Sequence, residues 1–237
     1  LVLLSACKRS RLPKKLRFIP KCMVEINKKS ILDHNINFYK KFKYKTIISG
    51  YKNNKLKNFI KKNSFKEIIN KNFKNTNMVY SLFMLRNIRC NEIVMCYSDI
   101  IFDQKIFENL NRISNVSSII LKKNWKKVWK GRMGTKNIKN DAEDVVVKNN
   151  KLISIGQKIG NKLPKYQYMG IIKFKLKDFI RLKKFFFKIK KPKIDFTTFL
   201  DMSIKEKIIN LKAITTNKYW YEIDNKQDLK FTSENIW

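Results

Sequence analysis

Two sets of residues in this chain have the types and spacing to act on a phosphate. The apolar start Leu1 to Ala6 runs into a basic turn, Cys7-Lys-Arg-Ser-Arg-Leu12, and then to Pro20-Lys21. A short strand can aim the N–H groups of the following turn at an anion, and Arg11 and Lys21 add full charges that peptide dipoles lack. Basic turns after strands are also common as solvated surface, so this signal alone leaves both readings open. Further on, Asp99 follows the apolar run Ile93-Val-Met-Cys96, and Asp224 follows Trp220-Tyr-Glu-Ile223. Two carboxylates from distant strand ends can meet across one site. Magnesium suits such a pair, because it takes one or two carboxylates together with substrate phosphates. Read singly, each Asp serves equally well as a turn or helix-cap residue.

Positioning these groups requires an α/β framework. Strands are expected at about 1–6, 44–49, 66–69 and 92–97, with helices near 31–41, 52–62, 79–89 and 104–112. Such alternation is the signature of βαβ units and a mostly parallel sheet. Ligands of open α/β sheets sit beyond the carboxyl ends of the strands, where Cys7 to Arg11 and Asp99 fall. In the second half strands are expected at Lys151 to Ile155, Tyr168 to Phe174 and Lys212 to Thr216, with mixed pairing. Phe185-Phe-Phe187, set among lysines, reads as the buried edge of a helix in preference to a lipid-facing patch. With 237 residues, no internal repeat and no Gly/Ser linker, one domain is expected.

The opening resembles the sugar-phosphate nucleotidyltransferase family, whose first strand leads into a loop of the type Ala-Gly-x-Gly-Ser-Arg-Leu and then a Pro-Lys pair. Here the loop stands as Ser5-Ala-Cys-Lys-Arg-Ser-Arg-Leu12 and the pair opens Pro20-Lys-Cys-Met-Val24. The likeness continues through Lys29-Ser-Ile-Leu32, Ile47-Ile-Ser-Gly-Tyr51, Tyr97-Ser-Asp-Ile100 and Trp220-Tyr-Glu-Ile-Asp224, covering nearly the whole chain. Asn77 to Leu82, Trp125-Lys-Lys-Val-Trp129 with Arg132, Asp141-Ala-Glu143 and Gln167-Tyr-Met-Gly170 are similar to the small cytidylyltransferases that activate phosphocholine or 2-aminoethylphosphonate.

The resemblance implies a Rossmann-like three-layer α/β/α domain with a mostly parallel mixed sheet. Residues 1–115 would form a nucleotide-binding half and 116–237 an acceptor-binding half. It implies transfer of CMP from CTP to phosphocholine or 2-aminoethylphosphonate for surface decoration, with Mg2+ as cofactor and pyrophosphate released. Arg11 would clamp the outer phosphates and Lys21 would sit beside the α-phosphate and the attacking oxygen, the two catalytic side chains. Ser5, Ala6, Cys7, Lys8, Arg9, Ser10 and Arg11 would cradle the nucleotide. Asn77 and Ser81 would read its base or ribose, unless they simply cap the helix that follows. The resemblance turns Asp99 and Asp224 from caps into metal ligands. Trp129, Asp141, Glu143, Tyr168, Trp220 and Glu222 would hold the acceptor, the aromatic faces attracting a quaternary ammonium and the acids adding opposite charge. Two departures qualify this. Cys7 and Arg9 stand where the family loop has glycines, and Lys122 stands where an acidic residue is often found. A non-catalytic relative that keeps the fold and binds anions or a partner is one alternative, and a basic nucleic-acid-binding protein is a second, less favoured one.

Composition excludes other classes. The formal charge of +36, from 54 Lys and Arg against 18 Asp and Glu, suggests nucleic acid as a partner. The excess is spread along the chain, however, and no clustered recognition module accompanies it, so a specific nucleic-acid site is not expected. Cys7, Cys22, Cys90 and Cys96 form no Cys-x-x-Cys pair and His34 is the only histidine, which disfavours a zinc site. Reduced thiols and a cytoplasmic location are expected. Leu4-Ser-Ala-Cys7 mimics a lipoprotein processing box, but the apolar run before it is too short for a signal peptide. No stretch approaches the roughly 20 apolar residues of a membrane span.

Overall fold

Every residue of the first strand is buried, as a strand covered on both faces demands. Leu3 packs into one core with Ile47, Val94, Cys96 and Ile171. Val2 and Leu4 pack into a second with Ile48, Ile93, Met95 and Ile172. Because successive side chains of a strand point to opposite faces, these two cores lie on opposite sides of one sheet, giving the expected three layers.

The computed structural model describes residues 1–6, 12–13, 16–133 and 138–236. Its strands are β1 (Val2–Ser5), β2 (Glu25–Ile26), β3 (Lys29–Ser30), β4 (Thr46–Ser49), β5 (Lys66–Ile69), β6 (Glu92–Tyr97), β7 (Ile100–Phe102), β8 (Ser118–Lys122), β9 (Glu143–Lys148), β10 (Lys151–Lys158), β11 (Gln167–Lys175), β12 (Lys212–Thr216) and β13 (Trp220–Glu222). The helices are α1 (Ile31–His34), α2 (Ile36–Tyr39), α3 (Lys57–Lys62), α4 (Met78–Phe83), α5 (Ile106–Asn111), α6 (Trp125–Met133), α7 (Ile138–Asp141), α8 (Leu176–Ile189), α9 (Phe196–Lys205) and α10 (Lys226–Asn235).

The main sheet has nine strands in the order β5-β4-β1-β6-β11-β8-β12-β10-β9. The quartet β5-β4-β1-β6 is parallel throughout. Beyond it, β11 runs against both β6 and β8, β8 and β12 are parallel, and β10 runs against β12 and β9. Only β11 and β10 therefore oppose the common direction, so the sheet is mixed and mostly parallel, as expected. Since β6 from the first half pairs with β11 from the second, the two halves share one sheet.

Several expected boundaries shift for identifiable reasons. The helix expected over 31–41 divides at Asn35, because the buried Asn35 side chain donates to Ile100 O at 2.7 Å and accepts from Phe102 N at 3.3 Å. That interruption stitches the segment to β7. The helix expected over 79–89 ends at Phe83, and Asn87 takes a left-handed φ of 53° that a helix cannot continue. A 3-10 turn, Asn53–Leu56, replaces the first part of the helix expected over 52–62. Strands β8 and β9 had no counterpart in the sequence reading. In α8, Phe179, Leu182 and Phe186 form the buried stripe while Phe187 is exposed, so the helix is the ordinary amphipathic kind. Among the described residues, no helix is long and apolar enough to cross a membrane.

Candidate active site

The site grows from a small sheet set apart from the main one. β13 pairs antiparallel with β7, placing Glu222 opposite Ile100, and Ile223 N donates to Asp99 O at 3.0 Å. Asp99 immediately precedes β7 and Asp224 closely follows β13, so this register brings two acids 125 positions apart in the chain to the same end of one ladder. Glu222 joins them: one carboxylate oxygen from each of Asp99, Glu222 and Asp224 lies within 4.8 Å of the others. The sequence reading had grouped Glu222 with the acceptor residues; it lines the acceptor cavity and also completes this acidic cluster.

Lys21 is delivered from the other side. Pro20 sets an extended backbone before the 3-10 turn Lys21–Met23, whose Cys22 lies buried with its sulfur 3.0 Å from Ser5 Oγ at the end of β1. Ser98 Oγ donates to Leu4 O at 2.7 Å, tying the end of β6 to β1. The Lys21 ammonium thereby reaches Asp99 Oδ2 at 2.5 Å and also donates to Asp224 Oδ1. Burial alone would lower the Lys21 pKa, but the charges of Asp99 and Asp224 outweigh it and hold the ammonium more firmly protonated than usual. Glu222 shifts upward, to about 8, because burial and then the adjacent Asp224 charge disfavour its ionised form. Asp99 Oδ1 is buried with no hydrogen-bond partner. Hard carboxylate oxygens converging from three positions and an orphaned carboxylate oxygen fit a magnesium ion.

Beside the cluster opens a cavity of about 270 Å3 whose lining includes Tyr97, Trp129, Asp141, Glu143, Gln167, Tyr168, Asp195, Phe196, Thr197 and Trp220. All six residues expected to hold an acceptor are present. Two of them act differently from the expectation. Trp129 and Trp220 stack on each other with centroids 5.2 Å apart and planes 10° apart, and only 3% and 2% of their surfaces are exposed. Their faces are therefore largely spent on packing. Trp129 instead uses its Nε1 to hold Asp141 Oδ2 at 3.1 Å, and Trp220 Nε1 donates to Met169 O. Glu143 is fixed by Thr197 Oγ1 at 2.8 Å, and burial raises its pKa. Asp195, Phe196 and Thr197 were missed in the sequence, where Asp195 reads as the cap of α9 that it also is. Gly170, at φ 75°, leaves room for the Tyr97 ring, which a Cβ would approach to 2.7 Å.

Asn77 and Ser81 are engaged locally: Asn77 Oδ1 caps α4 through Met78 N at 2.8 Å, and Ser81 Oγ accepts from Asn70 at 3.0 Å. Ser5 and Ala6 are buried at the end of β1. The candidate residues Cys7, Lys8, Arg9, Ser10 and Arg11 lie outside the described residues. Lys122 is buried, and its ammonium donates to the carbonyls of Asn217 and Lys218 at 2.8 and 2.7 Å, closing the turn that feeds β13. A larger cavity of about 420 Å3 opens at the opposite ends of β1, β4, β5 and β6. Its lining includes Lys43, Lys45, Lys66, Arg86 and Arg89 but none of the carboxylates, so the chemistry lies at the carboxyl ends.

No family model matches the chain. It is 30% identical to the CTP:phosphoglutamine cytidylyltransferase of Campylobacter jejuni, over 98% of each chain. Its fold is similar to that of the CTP:phosphocholine cytidylyltransferase from Streptococcus pneumoniae, with a TM-score of 0.78 and 18% identity over 100% of this chain and 98% of the other. The inositol-1-phosphate CTP transferase from T. maritima also gives a TM-score of 0.78, at 14% identity over 98% and 94% of the two chains. An acidic cluster with its own lysine at the carboxyl ends of this sheet thus sits on a nucleotidyltransferase fold. The chain belongs to the sugar-phosphate nucleotidyltransferase superfamily, and within it to the cytidylyltransferases.

Proposed function

We propose that the protein transfers CMP from CTP to a small phosphorylated or phosphonate acceptor that carries an amine, such as phosphocholine or 2-aminoethylphosphonate, and releases pyrophosphate. The observation that carries this reading is the adjacency of the Lys21–Asp99–Asp224 cluster to an acid-lined cavity. Magnesium held by Asp99 and Asp224, with Glu222 beside them, would supply positive charge for the triphosphate. Lys21 contributes a fixed charge where negative charge redistributes at the α-phosphorus, and the preorganised site spares the cost of arranging it at the moment of reaction. The acceptor's phosphate oxygen is already an anion, so the attack needs no general base.

Cavity chemistry selects the acceptor. Asp141, Glu143, Asp195 and Glu222 offer opposite charge to an ammonium, and Tyr97, Tyr168 and Phe196 offer apolar and π surface. Among the described lining residues there is no Lys or Arg to receive a carboxylate. An amine without a carboxylate therefore fits this lining better than a phosphorylated amino acid does.

The test is pyrophosphate release from CTP, UTP, GTP and ATP, each with phosphocholine, 2-aminoethylphosphonate, phosphoglutamine or a hexose 1-phosphate, in Mg2+ and in EDTA. Release confined to CTP, Mg2+ and an ammonium-bearing acceptor without a carboxylate is expected. Silence from folded protein would instead favour the non-catalytic alternative, with Cys7 and Arg9 in the phosphate loop as its cause.

A further inference from the structure

Among the described residues outside those assigned to substrate or metal, a fully buried ion pair joins the acceptor cavity to the acidic cluster. Arg132, on α6, and Asp228, on α10, both have fully buried side chains. Arg132 Nε donates to Asp228 Oδ1 at 2.8 Å and Nη2 donates to Oδ2 at 3.2 Å, a two-pronged contact that fixes both planes. The same Oδ2 accepts from the backbone N–H of Asp224 at 2.8 Å and of Asn225 at 3.1 Å. A capping box needs only the Asn225 contact; the additional one to Asp224 holds the backbone of a candidate metal ligand.

The other side of the guanidinium faces Glu222. Arg132 Nη1 stands 3.6 Å from Glu222 Oε2, too far for a hydrogen bond, and has no other partner although it is buried. The guanidinium also lies over the ring of Trp129, 5.1 Å from its centroid. Gly131 makes the approach possible, since a Cβ there would collide with the Phe231 ring of α10. With its charge matched by Asp228, Arg132 orients the cluster without neutralising it.

We propose that Arg132 is a positioning residue that acts through Asp228 and Glu222 to set the spacing of the metal-binding carboxylates and link it to the Trp129 wall of the acceptor cavity. The inference rests on the proposed metal-dependent transfer but concerns affinity for the metal, which is measurable without turnover. Groups that orient ligands from behind typically change metal affinity by about 10- to 100-fold when altered.

Mn2+ serves as the probe, with free ion counted by electron paramagnetic resonance on nucleotide-free protein. Arg132→Lys keeps the charge but loses the fork, and Asp228→Asn keeps an acceptor for the backbone but loses the ion pair. Each is expected to weaken Mn2+ binding by about 10- to 100-fold while the circular dichroism stays that of wild type. In turnover, each should raise the Mn2+ concentration needed for half-maximal rate and also raise KM for the acceptor. If one variant fails to fold, the other decides. Wild-type affinity in a folded variant overturns the positioning role. Wild-type protein that binds no Mn2+ fails the underlying reading instead, and takes this inference with it.

Discussion

Replacing Lys21 by alanine removes the one ammonium held between Asp99 and Asp224. Its Nζ lies 2.5 Å from Asp99 Oδ2, and the Lys21 and Asp99 side chains are 17% and 22% exposed, so the charge acts in a partly desolvated setting. Unit charges about 4 Å apart at an effective dielectric near 20 interact by about 4 kcal/mol. Deleting one preorganised donor from a developing anion costs about 3–4 kcal/mol in enzymes where it has been measured. Both routes give a loss of roughly 100- to 1,000-fold in kcat/KM, at about 1.4 kcal/mol per factor of ten. A second effect separates this role from a structural one. Without the ammonium, Asp99 and Asp224 lose a contact cation, so the variant should melt well below wild type in EDTA. Because a divalent ion supplies the missing charge, Mg2+ should restore more of the melting temperature in Lys21→Ala than it adds to wild type. Rates come from the dependence of pyrophosphate release on CTP and acceptor concentration, melting from circular dichroism. A folded Lys21→Ala variant that turns over within a few-fold of wild type would refute the reasoning.

Other residues give independent tests. Asp224→Asn preserves shape but removes a ligand charge, and should abolish turnover at millimolar Mg2+ while leaving the fold intact by circular dichroism; full turnover would remove Asp224 from the metal site. Glu222 has a folded pKa raised from 4.5 to about 8, so the folded state holds a proton that the unfolded chain gives up, and stability of the metal-free protein falls as pH rises through that window. Glu222→Gln removes that dependence, so its melting temperature in EDTA should gain on wild type between pH 5 and pH 8, as read by calorimetry. Gly170→Ala forces a side chain into a left-handed conformation and against Tyr97; it should cost about 1–2 kcal/mol from the backbone alone, read by urea unfolding, and raise KM for the acceptor.

The sequence showed more of the framework than of the cavity. β1, β4 and β6 were readable because each is a short apolar run between turn signals, and parallel strands covered on both faces require that pattern. Lys21 was readable from the proline before it and Asp99 from the apolar run ahead of it, whereas the pairing of Asp99 with Asp224 as metal ligands came from the family resemblance. Glu222 was read with the acceptor residues alone; its further place in the acidic cluster depends on the β7–β13 register, and three-residue strands carry too little pattern to fix one. The tryptophans were visible as aromatics, but their mutual stacking is a contact between α6 and β13 that no local spacing reports. Arg132 was quoted within a motif and had no role until Asp228 was found opposite it, 96 positions away. Asp195 and Thr197 were hidden because a helix cap and a cavity wall use the same residue types.

The charge distribution bears on whether the site is working or worn. The chain holds only 18 Asp and Glu against 54 Lys and Arg, the balance that A- and T-rich coding would produce by drift toward lysine. Drift of that kind erodes acids without regard to position. Yet Asp99, Asp141, Glu143, Asp195, Glu222 and Asp224, a third of all the acids, converge on the ends of the sheet where the cavity opens. Asp228 stands directly behind them. Gathering carboxylates in a partly buried place disfavours ionisation, and Glu222 and Glu143 are both shifted upward, first by burial and with neighbouring carboxylates adding to it. A fold with no metal or ammonium-bearing ligand to bind would relieve that repulsion by losing acids there first. Their convergence at one partly buried place, in a chain that holds few acids, favours an active transferase over a decayed one despite Cys7 and Arg9.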